Sequence, residues 1–320
     1  MRQLDPDATI RVPRRGDGRL ADFPRRYLRA GLLCCAAVLG GLAVLLGGLF
    51  APSVLQSGRG ADGGGVVLPM ADRQALLAAP TGSTAIYRYR PRPAVTVVLF
   101  DSLHDQALAL NRIGAFVEKA GLPHDRVLDD ASLAAAIAAS GDSFDEYYLG
   151  HDYRAADLRR FFALADMEHV ALRPAETWLR ARLEEAGLLG ENAPGALISL
   201  PPPAARGLMD AAGRSTILHH ELAHGLYFTD AAYAGYVARF WQDGLTDEER
   251  GAFVRLLARQ GYDPANVDVM RNECQAYLAF TDDGRYFSAA ALGLTETHVA
   301  EMRRRFMGGL PAGWLAASGL

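Results

Sequence analysis

Between Ala30 and Ala51 the chain reads AGLLCCAAVLGGLAVLLGGLFA, 22 residues with no charge and almost nothing polar. A run of that length is enough to cross a hydrocarbon layer as a tilted helix, and it divides the chain into unequal parts. Arg14, Arg15, Arg19, Arg25, Arg26 and Arg29 stand before it, and Arg59 alone follows within the next 20 residues. This asymmetry places residues 1–29 in the cytoplasm and everything after residue 51 on the exported side. The competing reading is a cleaved signal peptide, but the run exceeds the usual apolar region of roughly 7–15 residues. No A-x-A site follows, and Cys34 and Cys35 sit inside the run, where a lipoprotein cysteine does not belong.

The flanks support the division. Residues 1–29 are Arg-rich, broken by Pro6, Pro13 and Pro24, and poor in bulky apolar groups, a composition that cannot pay for folding. Residues 52–85 contain SGRGADGGG and read as a flexible linker. The GC-rich style of the composition, Arg in place of Lys, points to a bacterium, so the expected location is the inner membrane with a periplasmic or extracellular domain. A net charge of −4 and a pI of about 6.1 give no case for nucleic acid. Cys274 is the single cysteine beyond the apolar run, so the exported part has no internal disulfide.

From residue 86 the pattern turns regular. Ala94–Phe100 is a β-branched run and predicts a buried strand. Helical periodicity follows over Gln106–Ala120, Ser132–Ala139, Arg154–Leu164 and Ala175–Ala186. Short apolar runs at Tyr147–Leu149, His169–Leu172 and Gly195–Leu200 predict further strands, the last stopped by three prolines. Residues 86–204 are therefore expected to form an α/β part and residues 205–320 a helical part. The fold class is α+β: a small mixed sheet followed by a helical half.

Chemistry concentrates in that helical half. His220, Glu221 and His224 within STILHHELAHGLYF make H-E-x-x-H. On a helix, positions i and i+4 stack on one face, so both imidazoles reach one ion. Glu221 stands beside the first imidazole, where its carboxylate can take a proton from a metal-activated water. Gly225 follows the motif and admits close packing. A third protein donor is needed. Glu273, in Asn272-Glu273-Cys274-Gln275-Ala276-Tyr277-Leu278 on a helix expected over residues 265–280, is the best candidate.

H-E-x-x-H with Asn-Glu on a later helix resembles the gluzincin metallopeptidases, the thermolysin-like zincins. The resemblance covers two short motifs within residues 215–280. It implies a zinc ion held by His220, His224 and Glu273, with Glu221 as general base. The sequence departs from that family in a longer gap from His224 to Glu273, and in Tyr277 standing where N-E-x-x-x-D has its aspartate. Tyr277, one turn after Glu273, can face the metal and stabilise an oxyanion. Asp230, six residues after His224, competes as third ligand, but the turn it requires wants Gly where this chain has Tyr227. His219 points about 100° away from His220. His151-Asp152 is read either as a substrate-contacting pair or as a surface loop. By the same resemblance, residues 195–200 would be the edge strand that takes a peptide by strand addition.

The sequence thus predicts a membrane-anchored zinc metallopeptidase acting on a peptide or protein. A zinc hydrolase of non-peptide amides and a non-catalytic tethered binding module are the alternatives.

Overall fold

The computed structural model describes residues 67–204 and 207–320. The leader 1–29, the apolar run 30–51 and the first part of the expected linker lie outside the described residues. Among those described, no helix is long and apolar enough to cross a membrane.

Five strands form one mixed sheet: β1 (Met70–Ala71), β2 (Ala85–Tyr89), β3 (Val95–Leu99), β4 (His151–Arg154) and β5 (Ala196–Leu200). Their spatial order is β1-β2-β3-β5-β4. β3 and β5 run parallel, with Val97 opposite Ile198, and are flanked by antiparallel pairings to β2 and β4. Every residue of VTVVL and ALISL is buried, which is why these two strands are apolar throughout instead of alternating.

Each face of the sheet is covered. α2 (Leu103–Val117), α4 (Ala155–Met167) and α5 (Pro174–Glu185) close one face around Val98, Leu197, Tyr153 and Phe161, with α3 (Asp130–Ser140) packed outside them. The opposite face receives α1 (Arg73–Leu77) and the long helix α6 (Ala211–Thr229), through Leu76, Ile217, Leu218 and Leu222 against Val95, Val97, Ile198 and Leu200. The other side of α6 is buried in turn. α7 (Ala231–Arg239), α8 (Asp247–Arg259), α9 (Val267–Phe280), α10 (Ala289–Leu292), α11 (Glu296–Gly308) and α12 (Trp314–Ser318) follow it, and most pack around Leu226, Phe253, Phe280 and Phe306. The described chain is mixed α/β with a small mixed sheet, and α6 is common to both cores.

The structure differs from the sequence expectations at several points. Residues 70–77, read as linker, form β1 and α1, with Leu76 fully buried. Tyr147–Leu149 is not a strand: the two tyrosine rings meet edge-on, with Lys119 Nζ 4.5 Å from each centroid. His169–Leu172 is not a strand either, because His169 takes φ of 56° to turn the chain out of α4. Most important for the site, β5 lies inside the sheet, so residues 195–200 are not an edge. The edge beside β5 is β4, whose sequence HDYR carries no apolar run that would announce it.

Candidate metal centre

Helix α6 is fixed firmly before it presents any chemistry. Asp210 caps it by accepting from Gly213 N at 2.8 Å. Buried Arg214 donates to Pro201 O at 3.1 Å and Leu77 O at 2.9 Å. Gly225 lets the helix lie directly on β3: a Cβ there would stand 2.9 Å from Val95 Cγ1. With the axis so placed, the i, i+4 spacing brings His220 Nε2 and His224 Nε2 to 2.9 Å from each other.

α9 supplies the third group. It starts at Asn266, whose side chain accepts from Val269 N, and packs along α6. Glu273 Oε2 is 3.8 Å from His220 Nε2, and Oε1 is 3.8 Å from His224 Nε2. One donor atom from each of His220, His224 and Glu273 lies within 4.8 Å of the others, and Glu273 and His224 are 2 % and 1 % exposed. An ion held tetrahedrally at about 2.0–2.2 Å separates its donors by roughly 3.3–3.6 Å. The observed separations of 2.9–3.8 Å straddle that range.

Two further groups complete the surroundings. His220 Nδ1 is 2.8 Å from Thr281 Oγ1, and that hydroxyl donates to Ala276 O at 2.9 Å. Thr281 is therefore the acceptor, which assigns the proton to Nδ1 and leaves the Nε2 lone pair facing His224 and Glu273. On β4, the period of two places Asp152 and Arg154 on the face shared with α6 and α9, and His151 and Tyr153 on the α2 face. Asp152 Oδ2 is 3.7 Å from His224 Nε2, and Oδ1 accepts from Asn272 Nδ2 at 3.2 Å. Asp152 also forms a donor group with Glu221 and His224 within 4.8 Å. Glu221 presses against the backbone of Gly150, where a Cβ would overlap its carboxylate.

The electrostatics of this cluster call for a cation. Burial, then the charges of Asp152 and Glu273, hold the Glu221 carboxyl well above the ordinary range. Burial, then Asp152 and Glu118, do the same to Glu273. Burial and the adjacent imidazoles hold His220 well below the usual histidine value, so it stays neutral and able to donate a lone pair. Buried carboxylates without counter-charge are costly. Glu221 Oε2 and Glu273 Oε2 are both buried without a hydrogen-bond partner. Two imidazoles, a carboxylate and unsatisfied oxygens suit a divalent ion of borderline softness.

The other sequence candidates fall as follows. The Tyr277 ring meets His220 edge-on at 4.8 Å between centroids, and its hydroxyl accepts from Gln260 Nε2 at 3.2 Å, leaving its own proton free to donate. Burial and Glu273 push its pKa upward, so the hydroxyl keeps that proton. Asp230 belongs to neither donor group; it caps α7, accepting from Ala232 N and Tyr233 N at 3.1 Å each. His219 packs edge-on against Phe280 at 5.4 Å and burial brings its pKa down to about 4. His151 is buried beneath β4, 2.6 Å from Tyr153 OH, and does not line the site. Asp152, read from the sequence either as half of a substrate-contacting pair or as part of a surface loop, borders the site, and Thr281 was not among the expected site residues. Neither has a motif at fixed spacing from the histidines, and both arrive through tertiary packing.

No family model, curated protein or solved structure matches the chain.

Proposed function

We propose that the chain is a zinc-dependent metallopeptidase of gluzincin type. The observation that carries this reading is the convergence of His220, His224 and Glu273 donor atoms within 4.8 Å, with the Glu221 carboxylate grouped at the same histidine. Histidine-histidine-glutamate with one position left open is the donor set of catalytic rather than structural zinc. Zinc in that position supplies Lewis acidity, lowering the pKa of a water and polarising a carbonyl.

The chain's own groups do the rest. Glu221 is placed to accept the water's proton and return it to the departing amide nitrogen. Its raised pKa, set by burial and then by Asp152 and Glu273, suits the second half of that cycle, in which it holds a proton for the departing nitrogen. Tyr277, with its proton free, is the candidate donor to the oxyanion. Thr281 holds His220 in the ligating tautomer. The free edge of β4, bordering Asp152 and Gly150, is the strand beside which an extended substrate would lie. The apolar run 30–51 would tether the enzyme to a bacterial inner membrane, with this domain on the far side.

Metal content by mass spectrometry of the purified full chain tests the reading. About one zinc per chain is expected, lost in His224→Ala and Glu273→Ala and retained in Glu221→Gln, which should have no peptidase turnover. A folded wild-type chain that binds no zinc when zinc is supplied removes the proposal.

A further inference from the structure

The donor set is covered. Glu221, His224 and Glu273 are buried, and the side chain of His220 is 14 % exposed. Between β4 and α9, where an extended substrate would lie, the open space is a cavity of about 30 Å³, room for one or two waters. A peptide laid beside a strand needs about 4.8 Å of clear width along its length. The cavity falls short of that.

Two clasps close the gap, and both join the sheet side to the helical side. The first is made by the connection from α8 to α9, residues 260–266. Lys119, just past the end of α2, pairs with Tyr262 as an isolated antiparallel bridge. Ala120 N donates to Gly261 O at 2.9 Å, and Asp263 N to Glu118 O at 3.3 Å. Lys119 Nζ, packed over the Tyr147 and Tyr148 rings, is 6.0 Å from the Tyr262 centroid. The connection also reaches the site. Tyr262 lies with its hydroxyl beside the Glu273 carboxylate, and Gln260 Nε2 donates to Tyr277 OH at 3.2 Å. The second clasp is Arg154 on β4, whose Nη1 is 2.6 Å from Oδ2 of Asp268 in the first turn of α9.

These clasps are weakly held compared with what they cover. Leu257 and Met270 anchor α8 and α9 on either side of the connection, at 0 % and 1 % exposed. None of residues 260–266 is buried. Two backbone hydrogen bonds tie the connection to residues 118–120. The Arg154–Asp268 pair is part-exposed, and pairs of that kind contribute little. A surface segment with few buried contacts opens far more cheaply than the whole domain unfolds. α6 is packed on both sides, and α9 is held by buried Met270, Cys274 and Leu278. Opening the connection therefore leaves the donor atoms where they are.

Resting on the metallopeptidase reading, we infer that residues 260–266 are a lid, closed over the metal site in this structure and hinged at the facing ends of α8 and α9, which must part from residues 118–120 to admit a peptide. Closure sequesters the site from water and opening exposes the side of β4 to substrate.

The test locks the lid. The hydrogen bonds run on either side of Lys119 and Tyr262, so the two form a non-hydrogen-bonded pair. Such Cα atoms stand about 4.5 Å apart, within disulfide range. In the full chain carrying Lys119→Cys with Tyr262→Cys, oxidation should join the two positions; thiols that fail to pair overturn the closed arrangement. The reduced form carries the same substitutions and is the control. Oxidised protein should cleave fluorescent casein at least about 10-fold more slowly than reduced protein, with the rate restored by reduction. Equal cleavage by the two forms overturns the lid and leaves the peptidase reading standing. Cleavage by neither form, with zinc released to a chelating dye more slowly after oxidation, removes the peptidase reading and keeps the lid. Cleavage by neither form with equal zinc release removes both. Hydrogen exchange of the metal-free wild-type chain needs neither zinc nor substrate. The Ala120 and Asp263 amides should exchange at least about 100-fold faster than those of Leu218 and Leu222 in α6, and equal protection overturns the lid.

Discussion

Thr281→Val removes one hydroxyl and nearly no volume, and its effect can be worked from the two hydrogen bonds involved. The oxygen accepts from His220 Nδ1 at 2.8 Å and donates to Ala276 O at 2.9 Å. Losing the acceptor frees the imidazole to rotate and to change tautomer. Removal of such a partner behind a ligating histidine costs 10–100-fold in metal affinity, or about 1.4–2.7 kcal/mol. The metal-free protein should also weaken by about 1–3 kcal/mol, because His220 Nδ1–H is left unpaired in a mostly buried site. Competition with a chelating dye gives the zinc affinity, and urea unfolding of chelator-treated protein gives the stability. Thr281→Ser keeps the hydroxyl and should retain zinc affinity within about 3-fold. A valine variant that binds zinc as tightly as wild type would refute the assignment of Thr281 as the orienting group. Equal losses in Val and Ser would show that the site responds to packing, not to the hydroxyl.

Gly150→Ala forces a Cβ into the Glu221 carboxylate. Turnover should fall at least 100-fold with zinc stoichiometry intact, and urea unfolding should register a cost of about 1–3 kcal/mol. Gly225→Ala places a Cβ 2.9 Å from Val95 Cγ1. The overpacking cost, about 1–3 kcal/mol, should exceed the helix-propensity gain of about 1 kcal/mol, so a net loss in the unfolding midpoint is expected. Glu118 has a folded pKa of about 8 against 4.5 unfolded, so the folded state holds the extra proton between those values. Metal-free stability should therefore decline as pH rises from about 4.5 to 8, by an upper bound of about 5 kcal/mol from this group. Glu118→Gln should flatten that slope in urea melts across the range.

How much of this was legible in the sequence depends on whether the signal was local. β3 and β5 were readable because full burial demands an unbroken apolar run, and VTVVL and ALISL have one. α6 and α9 were readable by periodicity, and the histidine pair by spacing within one helix. β4 was not, because HDYR is polar: His151 is satisfied within the strand by Tyr153, and Asp152 and Arg154 by Asn272 and Asp268 from a distant helix. Tyr147 and Tyr148 misled in the opposite direction, being apolar for the sake of the Lys119 cluster. Tyr277 in place of an aspartate left the first histidine without an evident partner, and the partner that the fold provides, Thr281, lies just past the end of α9. No pattern links position 281 to position 220; only the way the end of α9 meets α6 does.

The double burial of α6 has a consequence for dissection of the molecule. Leu218 and Leu222 belong to the sheet-side core, while Ala223 and Leu226 belong to the helical one. A fragment cut near the three prolines would carry both histidines and Glu273 yet leave half of that helix naked. Such a piece would have an oily flank instead of a floor, and its first encounter would be with another copy of itself. The two halves of the sequence are one foldable object, and a minimal catalytic fragment of the helical half alone is not to be had by truncation.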